Sequence, residues 1–379
     1  MKPIGSRFLL GRADDRLAEV VEALDQALAD DPHVAFQAAA FKDGIPILDV
    51  WSGRGMDEET VLVTHSTTKV TIGVVVGVLI ERGLLDLDQR VADYWPEFAA
   101  RGKQDVTVRQ LLSHQAGLPQ ATPPLALTEL LDDHIAAERL AATAPFWRPG
   151  TAFGYHGLTI GNLAAELVFR ITGRTFQQFY ESDVRAPYDI DFFLGLPEAE
   201  EGRRRDSFTA VKPAREAMEL PPSLLGELMH YDLAGDPGNR PESWRFGHPA
   251  AFGTGTARGL ARLLAAAVTG VDGGAPLLSR DTVDRIGEQH VRGVDQVLGI
   301  TDRSFGIVFQ KPYGARPFGG ARSFGHDGAG GHLATIDPET GVAFGWTTVR
   351  GAWPGGADPR AVRTSRRIGT FFDTANNRS

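Results

Sequence analysis

The sequence predicts an α+β fold: one antiparallel sheet assembled from strands at both chain ends and flanked by the terminal helices, with an all-α domain inserted between them. Three observations predict it. Strand-like apolar runs bounded by turn residues occur at 34–53 and return only at 304–349, the stretch between them reads with a helical period, and amphipathic segments open and close the chain. The sheet domain is accordingly expected over 1–83 and 291–379, and the mainly helical domain over 84–290.

Taken in order, Leu17, Val20, Val21, Leu24 and Leu28 fall at helical spacing and predict a helix over 13–31. VAFQAAAF (34–41) and PILDVWSG (46–53) flank Lys42-Asp43-Gly44, the corner of a β-hairpin. A helix is expected over 66–82, ending at Gly83. Helices follow at 107–113, 127–143, 158–172, 175–185, 258–269 and 280–288, separated by proline-rich and glycine-rich joints. SFGIVFQK (304–311), HLATIDP (332–338) and VAFGWTTV (342–349) read as strands, with Pro338 to Gly341 as a turn, and a last helix covers about 358–373.

Composition narrows the function. The 379 residues, 42% hydrophobic and 23% charged, suit a soluble globular protein. Without cysteine there is no thiol nucleophile, disulfide or Cys-ligated zinc. A net charge of -9 argues against a nucleic-acid partner, which needs a basic face. The one basic cluster, Arg203 to Arg205, follows Glu198, Glu200 and Glu201 and reads as a solvated loop. The apolar run Ile72 to Ile80 is far short of the ~20 residues that span a bilayer, and MKPIGSRFLLGRADDRL carries no export signal, so a cytoplasmic protein without a membrane partner is expected. Arginine outnumbers lysine 33 to 6, as in high-GC bacteria. Oligomeric state is not set by the sequence.

One of those six lysines stands three residues after a serine at the head of the 66–82 helix. With 13 serines and 6 lysines, chance placement gives about 0.2 Ser-x-x-Lys patterns in such a chain. At i and i+3 on a helix, Ser66 and Lys69 share a face, about 5–6 Å apart at Cβ. A serine hydroxyl needs an adjacent base, and a lysine whose charged form is disfavoured by burial can be that base. The helix start adds unpaired N–H groups suited to an oxyanion.

Two further stretches carry chemistry. In WRPGTAFGYHGL (147–158) Tyr155 lies in a glycine-flanked loop ahead of a helix, where its phenolate can act as a general base or its hydroxyl can simply pack. In ARSFGHDGAGGHL (321–333) four glycines precede a strand; His326 there can donate a hydrogen bond, titrate near neutrality, or sit exposed at a sheet edge. GTGTARG (253–259) lacks a dinucleotide-binding context and reads as a turn capping the helix from 258. ARSFG falls short of a nucleophile elbow. The ten histidines show no metal-ligand spacing, so neither metal nor cofactor is expected.

Ser-x-x-Lys, then a Tyr loop, then His-x-Gly ahead of a strand resembles the layout of serine β-lactamases, penicillin-binding proteins and their esterase relatives. GLLDLDQRVADYWPEF (83–98), VTVRQLLSHQAGLP (106–119), WRPGTAFGYHGLTIGNL (147–163) and FGTGTARGLARLL (252–264) are similar to segments in that order across the class C β-lactamase superfamily. The chain is most similar to its family VIII carboxylesterase branch, over nearly its whole length. The resemblance implies a β-lactamase/transpeptidase-like fold with the active site between the two domains. It implies Ser66 as the acyl-forming nucleophile, Lys69 as base or proton shuttle, Tyr155 as a partner in proton transfer, and His326 with Gly328 lining the site at the third motif. The oxyanion hole would be the N–H of Ser66 and one from the strand after His326.

Two departures favour an esterase over a lactamase. Tyr155-His156-Gly157 lacks the asparagine two residues after the tyrosine, and His326 replaces the lysine that pairs with a lactam carboxylate. The expected function is therefore a cofactor-free serine carboxylesterase acting on small esters through acyl-Ser66. An acyltransferase passing the acyl group to an alcohol or amine is the alternative, with β-lactamase, D-amino peptidase or a catalytically dead binding scaffold behind it. Which of Lys69 and Tyr155 is the base stays open. The 187–250 region, with Trp244, is expected to shape the pocket.

Overall fold

The computed structural model describes residues 1–6, 8–31, 33–209, 236–352 and 355–376. Its main sheet has seven strands in the order Lys2–Pro3, Leu10–Ala13, Ile45–Ser52, Phe36–Lys42, Val342–Thr348, Leu333–Asp337 and Phe324–Asp327, each antiparallel to its neighbour. The strands come from both chain ends, as the α+β reading requires. Period-two alternation sends Phe36, Ala38, Ala40, Phe344 and Trp346 to one face, where they pack with the helices Ala18–Asp30 and Pro359–Asn376. Ala39, Phe41, Ala334 and Ala343 point the other way, into a larger core shared with the helical region.

Small residues on that second face let the helix Ala257–Val268 lie close against the sheet. A Cβ on Gly345 would fall 2.1 Å from the Ala257 carbonyl oxygen, so strand and helix must separate to admit one. Gly345→Ala is expected to destabilise the fold by about 1–3 kcal/mol, the usual cost of overpacking a tight core; a urea midpoint unchanged from wild type would contradict this contact. The same helix lies within 84–290 in sequence, so a division at 290 separates it from the sheet it covers.

Several expectations are corrected. The strand expected at 304–311 is confined to Arg303–Phe305, paired with Val291–Gly293, because the chain turns back at once and Phe305 bridges Gln310. The glycine-rich stretch ahead of Leu333 contains a strand of its own, Phe324–Asp327, and the two form a hairpin. The 127–143 helix is two, Leu127–Leu130 and Asp133–Ala142, because Asp132 caps a new N-terminus. The inserted region is not all helical: short strands at 192–193, 204–205 and 254–255 join Val61–Val63 in a second, four-stranded sheet. Arg204 and Arg205 are thus strand residues, and Arg203 is held by Asp191 and Glu200 instead of forming a solvated loop. Of the 187–250 region, 210–235 lies outside the described residues; Trp244 is buried and packs with Val63 and Phe252.

This second sheet places the Ser66 turn. Val61–Val63 ends, His65 takes a left-handed φ of 49°, and residues His65–Lys69 form one 3-10 turn before the α-helix Val70–Glu81. The expected 66–82 helix therefore starts tighter than an α-helix. A left-handed non-glycine residue costs about 1–2 kcal/mol and persists where its surroundings fix it. They do so here: Thr64 N–H donates to the Gly253 carbonyl at 2.9 Å, and Gly253 N–H donates back to Thr68 Oγ1 at 3.0 Å. Gly73 and Gly77, which interrupt the apolar run, admit the Phe309 ring and Leu278 directly against the helix backbone.

Candidate active site

Ser66 is half-buried on the 3-10 turn, and Lys69, one turn on, is fully buried. Lys69 Nζ lies 3.2 Å from Ser66 Oγ, 2.7 Å from the Gly157 carbonyl oxygen and 2.8 Å from that of Ala250. No carboxylate lies within ion-pair distance of it among the described residues. Burial lowers the Lys69 pKa well below its ordinary value, Asp327 opposes the shift from farther off, and Arg303 adds to it. A neutral amine has two N–H bonds and one lone pair. With the N–H bonds directed to the two carbonyls, the lone pair is left for the Ser66 hydroxyl.

Tyr155 is brought to the same place. Its hydroxyl lies near enough to Ser66 to be influenced by it, and its ring centroid is 4.9 Å from Lys69 Nζ. Asp295 fixes its backbone, accepting from Tyr155 N–H at 3.0 Å and from the Val297 and Leu298 amides. Burial raises the phenol pKa above its ordinary value, with Ser66 opposing, so the side chain is a phenol at neutral pH and not the phenolate that sequence reading allowed. His156 is structural: its Nδ1–H donates to the Gly154 carbonyl at 2.7 Å and its Nε2 accepts from Leu118 N–H at 2.8 Å. Neither nitrogen is left to face a substrate.

His326 and Gly328 both reach the site, by a route the sequence did not indicate. His326 is a strand residue with no exposed surface, donating from Nδ1 to the Asp327 carbonyl, its ring 5.9 Å from that of Tyr155. Burial, then the nearby Lys69, holds its pKa far below neutrality, so it neither sits in solvent nor titrates near pH 7. Gly328 packs on the nucleophile turn: a Cβ there would stand 2.4 Å from the Thr64 carbonyl oxygen and 2.8 Å from Thr67 Oγ1. Only a residue without a side chain lets this hairpin touch the Ser66 loop.

Residues absent from the sequence reading complete the floor. Gln310 Nε2 donates to Asp327 Oδ1 at 2.7 Å, and the buried Arg303 guanidinium lies 3.9 Å from the same oxygen. Burial alone would raise the Asp327 pKa, but Arg303 above all, with Gln310 and Arg316, outweighs it and keeps the carboxylate charged. Arg303 thus supplies a fixed cation behind the third motif, where His326 supplies none. His114, at a left-handed φ of 65°, sets its ring edge-on to Phe305 and accepts from His156 N–H. None of these had a local signal, since each acts through partners distant in sequence; a charged residue inside the apolar run RSFGIVF was the nearest clue to Arg303. Among the described residues no group of three or more His, Cys, Asp or Glu side chains is arranged to hold a metal ion, and no helix is long and apolar enough to cross a membrane.

Comparison with known proteins gives the family of the chain. The beta-lactamase family profile matches residues 20–365. The esterase/beta-lactamase LipL of Mycobacterium tuberculosis is 32% identical over 363 residues, covering 90% of this chain and 83% of its own. The structure of EstA from Arthrobacter nitroguajacolicus superposes with a TM-score of 0.88 at 37% identity, over 98% of this chain and all of the other. A family VIII carboxylesterase superposes at 0.85 with 29% identity, over 96% of this chain and 99% of its own.

Proposed function

The chain belongs to the beta-lactamase family of serine hydrolases, and from that premise we propose that it is a carboxylesterase that cleaves small carboxylic esters through an acyl-Ser66 intermediate. One observation carries the proposal: Lys69 is buried without a carboxylate partner among the described residues, its N–H groups taken by two carbonyls and its third direction occupied by Ser66 Oγ. That arrangement suits a neutral amine acting as base, whereas the buried Tyr155 phenol is better suited to relaying a proton than to removing one.

Ser66 Oγ attacks the ester carbonyl carbon while its proton passes to Lys69 Nζ. The tetrahedral oxyanion is held by the Ser66 N–H and a second amide after His326. The Asp327 and Gly328 amides are engaged with Gln310 and the His332 carbonyl, so the second donor assigned in this reading is Ala329, next along the chain and exposed in the turn beyond the strand. Collapse breaks the carbonyl–alkoxy bond, and the leaving oxygen takes a proton through Tyr155. Water then attacks the acyl carbon by the same route in reverse, releasing a carboxylic acid and restoring Ser66. A neutral His326 offers nothing to a lactam carboxylate, and relatives named as esterases support an ester substrate.

The test is p-nitrophenol release from p-nitrophenyl acetate by the wild type, with and without millimolar amine or alcohol. Hydrolysis with acetate as sole acyl product, at a rate indifferent to the acceptor, is expected. Accumulation of a new amide or ester at a rising rate would make the protein an acyltransferase, and turnover of a cephalosporin at a comparable kcat/KM would make it a lactamase.

A further inference from the structure

The carbonyls that hold Lys69 must themselves be held, and that of Ala250 is anchored by a buried chain of side chains outside the three motifs. His248, with no exposed surface, accepts from Ala250 N–H at its Nδ1, 3.2 Å away. Its Nε2–H therefore carries the ring proton and donates to Asn162 Oδ1 at 3.1 Å. Asn162, also fully buried, spends its amide protons on the Leu130 carbonyl at 3.0 Å and on Asp133 Oδ1 at 3.1 Å. Two acceptors facing Nδ2 fix the amide orientation, which in turn fixes the imidazole tautomer. The His248 carbonyl also receives the Ala251 and Phe252 amides, each at 3.0 Å, so both faces of the turn are set by this residue.

The neighbouring helix makes room for it. Gly161, beside Asn162, admits no side chain: a Cβ there would meet His248 Cε1 at 2.5 Å and Ala250 N at 2.9 Å.

We propose that His248 is a positioning residue for the reaction, which through Ala250 holds the carbonyl that orients the Lys69 amine toward Ser66. The inference rests on the reading of Lys69 as base. A second proton on His248 would set an N–H against the Ala250 N–H, so only the neutral ring fits, and burial with the nearby Lys69 keeps it neutral. Without this anchor the Ala250 carbonyl can turn away, the amine lone pair is no longer aimed, and the charged form of Lys69 loses an acceptor while staying buried.

The experiment compares wild type with His248→Phe, which keeps the site filled and dry, and with Gly161→Ala, which leaves His248 in place but displaces it. In both variants kcat/KM for p-nitrophenyl acetate is expected to fall at least tenfold with KM little changed, and the acid limb of its pH profile to move to lower pH. His248→Gln, which supplies one acceptor and one donor, is expected to recover part of the loss. Other groups that face Lys69 and bear on its charge, namely Tyr155, His114, His326, Asp327 and Arg303, remain in all variants. Should His248→Phe not fold, Gly161→Ala decides alone. Folded variants with wild-type rates and an unmoved acid limb would overturn the role of His248. Turnover surviving in a parallel Ser66→Ala sample would instead overturn the site itself.

Discussion

Ser66→Ala is expected to lower kcat for p-nitrophenyl acetate by about 10,000-fold or more, the scale of loss when a covalent nucleophile is removed from an otherwise intact site. It is also expected to abolish labelling by a fluorophosphonate. The substitution deletes one half-buried oxygen that contacts Lys69 Nζ at 3.2 Å and lies near the Tyr155 hydroxyl. The turn itself is held elsewhere, by the Thr64–Gly253 and Gly253–Thr68 hydrogen bonds, so the variant should fold with a melting temperature within a few degrees of wild type. Stability and activity therefore separate cleanly. Residual hydrolysis above about one part in a hundred would mean that water is activated directly, and the acyl-enzyme would have to be abandoned.

The parts of this site that were legible in the sequence are those whose chemistry is local. Ser66 and Lys69 lie one turn apart, so spacing alone places them together, and Tyr155 and Gly328 stand in glycine-flanked segments that mark close approach. The central hairpin and the last two strands were legible for a similar reason, since Asp43-Gly44 and Pro338 to Gly341 are turns with alternation on either side. What failed was non-local. The edge strands 2–3 and 10–13 are too short and too polar to show alternation; 10–13 exists because Ile45–Ser52 offers it an edge, and 2–3 because 10–13 offers the next. Whether His326 lined the site or sat exposed at a sheet edge stayed open because glycines surround it; it is buried because the hairpin packs it near Tyr155 and beside Asp327. His248 gave no signal at all, for its partner Asn162 reaches it only once the 248–252 turn meets the 159–172 helix.

Replacing Lys69 by methionine is expected to cost about 100- to 10,000-fold in kcat/KM, the range for loss of a general base, and also to change how stability varies with pH. In the folded protein burial holds the Lys69 pKa well below the 10.5 of an exposed lysine. Between the folded value and 10.5 the unfolded chain binds a proton that the native state does not, so in this window wild-type stability gains with rising pH. Below the folded value the full cost of burying the amine is present, and above 10.5 it is gone. Methionine has no such group, so the stability of Lys69→Met relative to wild type should fall steadily from pH 7 to pH 10, read as the difference in urea midpoints. Lys103 and Lys311, both pushed down to about 8 by burial, titrate in the same window but are common to both proteins and cancel. Burial holds the histidines around Lys69 below their ordinary value of 6.5, outside the range compared. Methionine leaves the Gly157 and Ala250 carbonyls without their donor, a penalty that shifts the whole curve without altering its slope. A slope difference of zero would mean that Lys69 keeps its proton in the folded state up to an ordinary pKa. It would then be an ammonium pairing with the Ser66 oxygen, unable to take its proton, and the base would have to be sought at Tyr155.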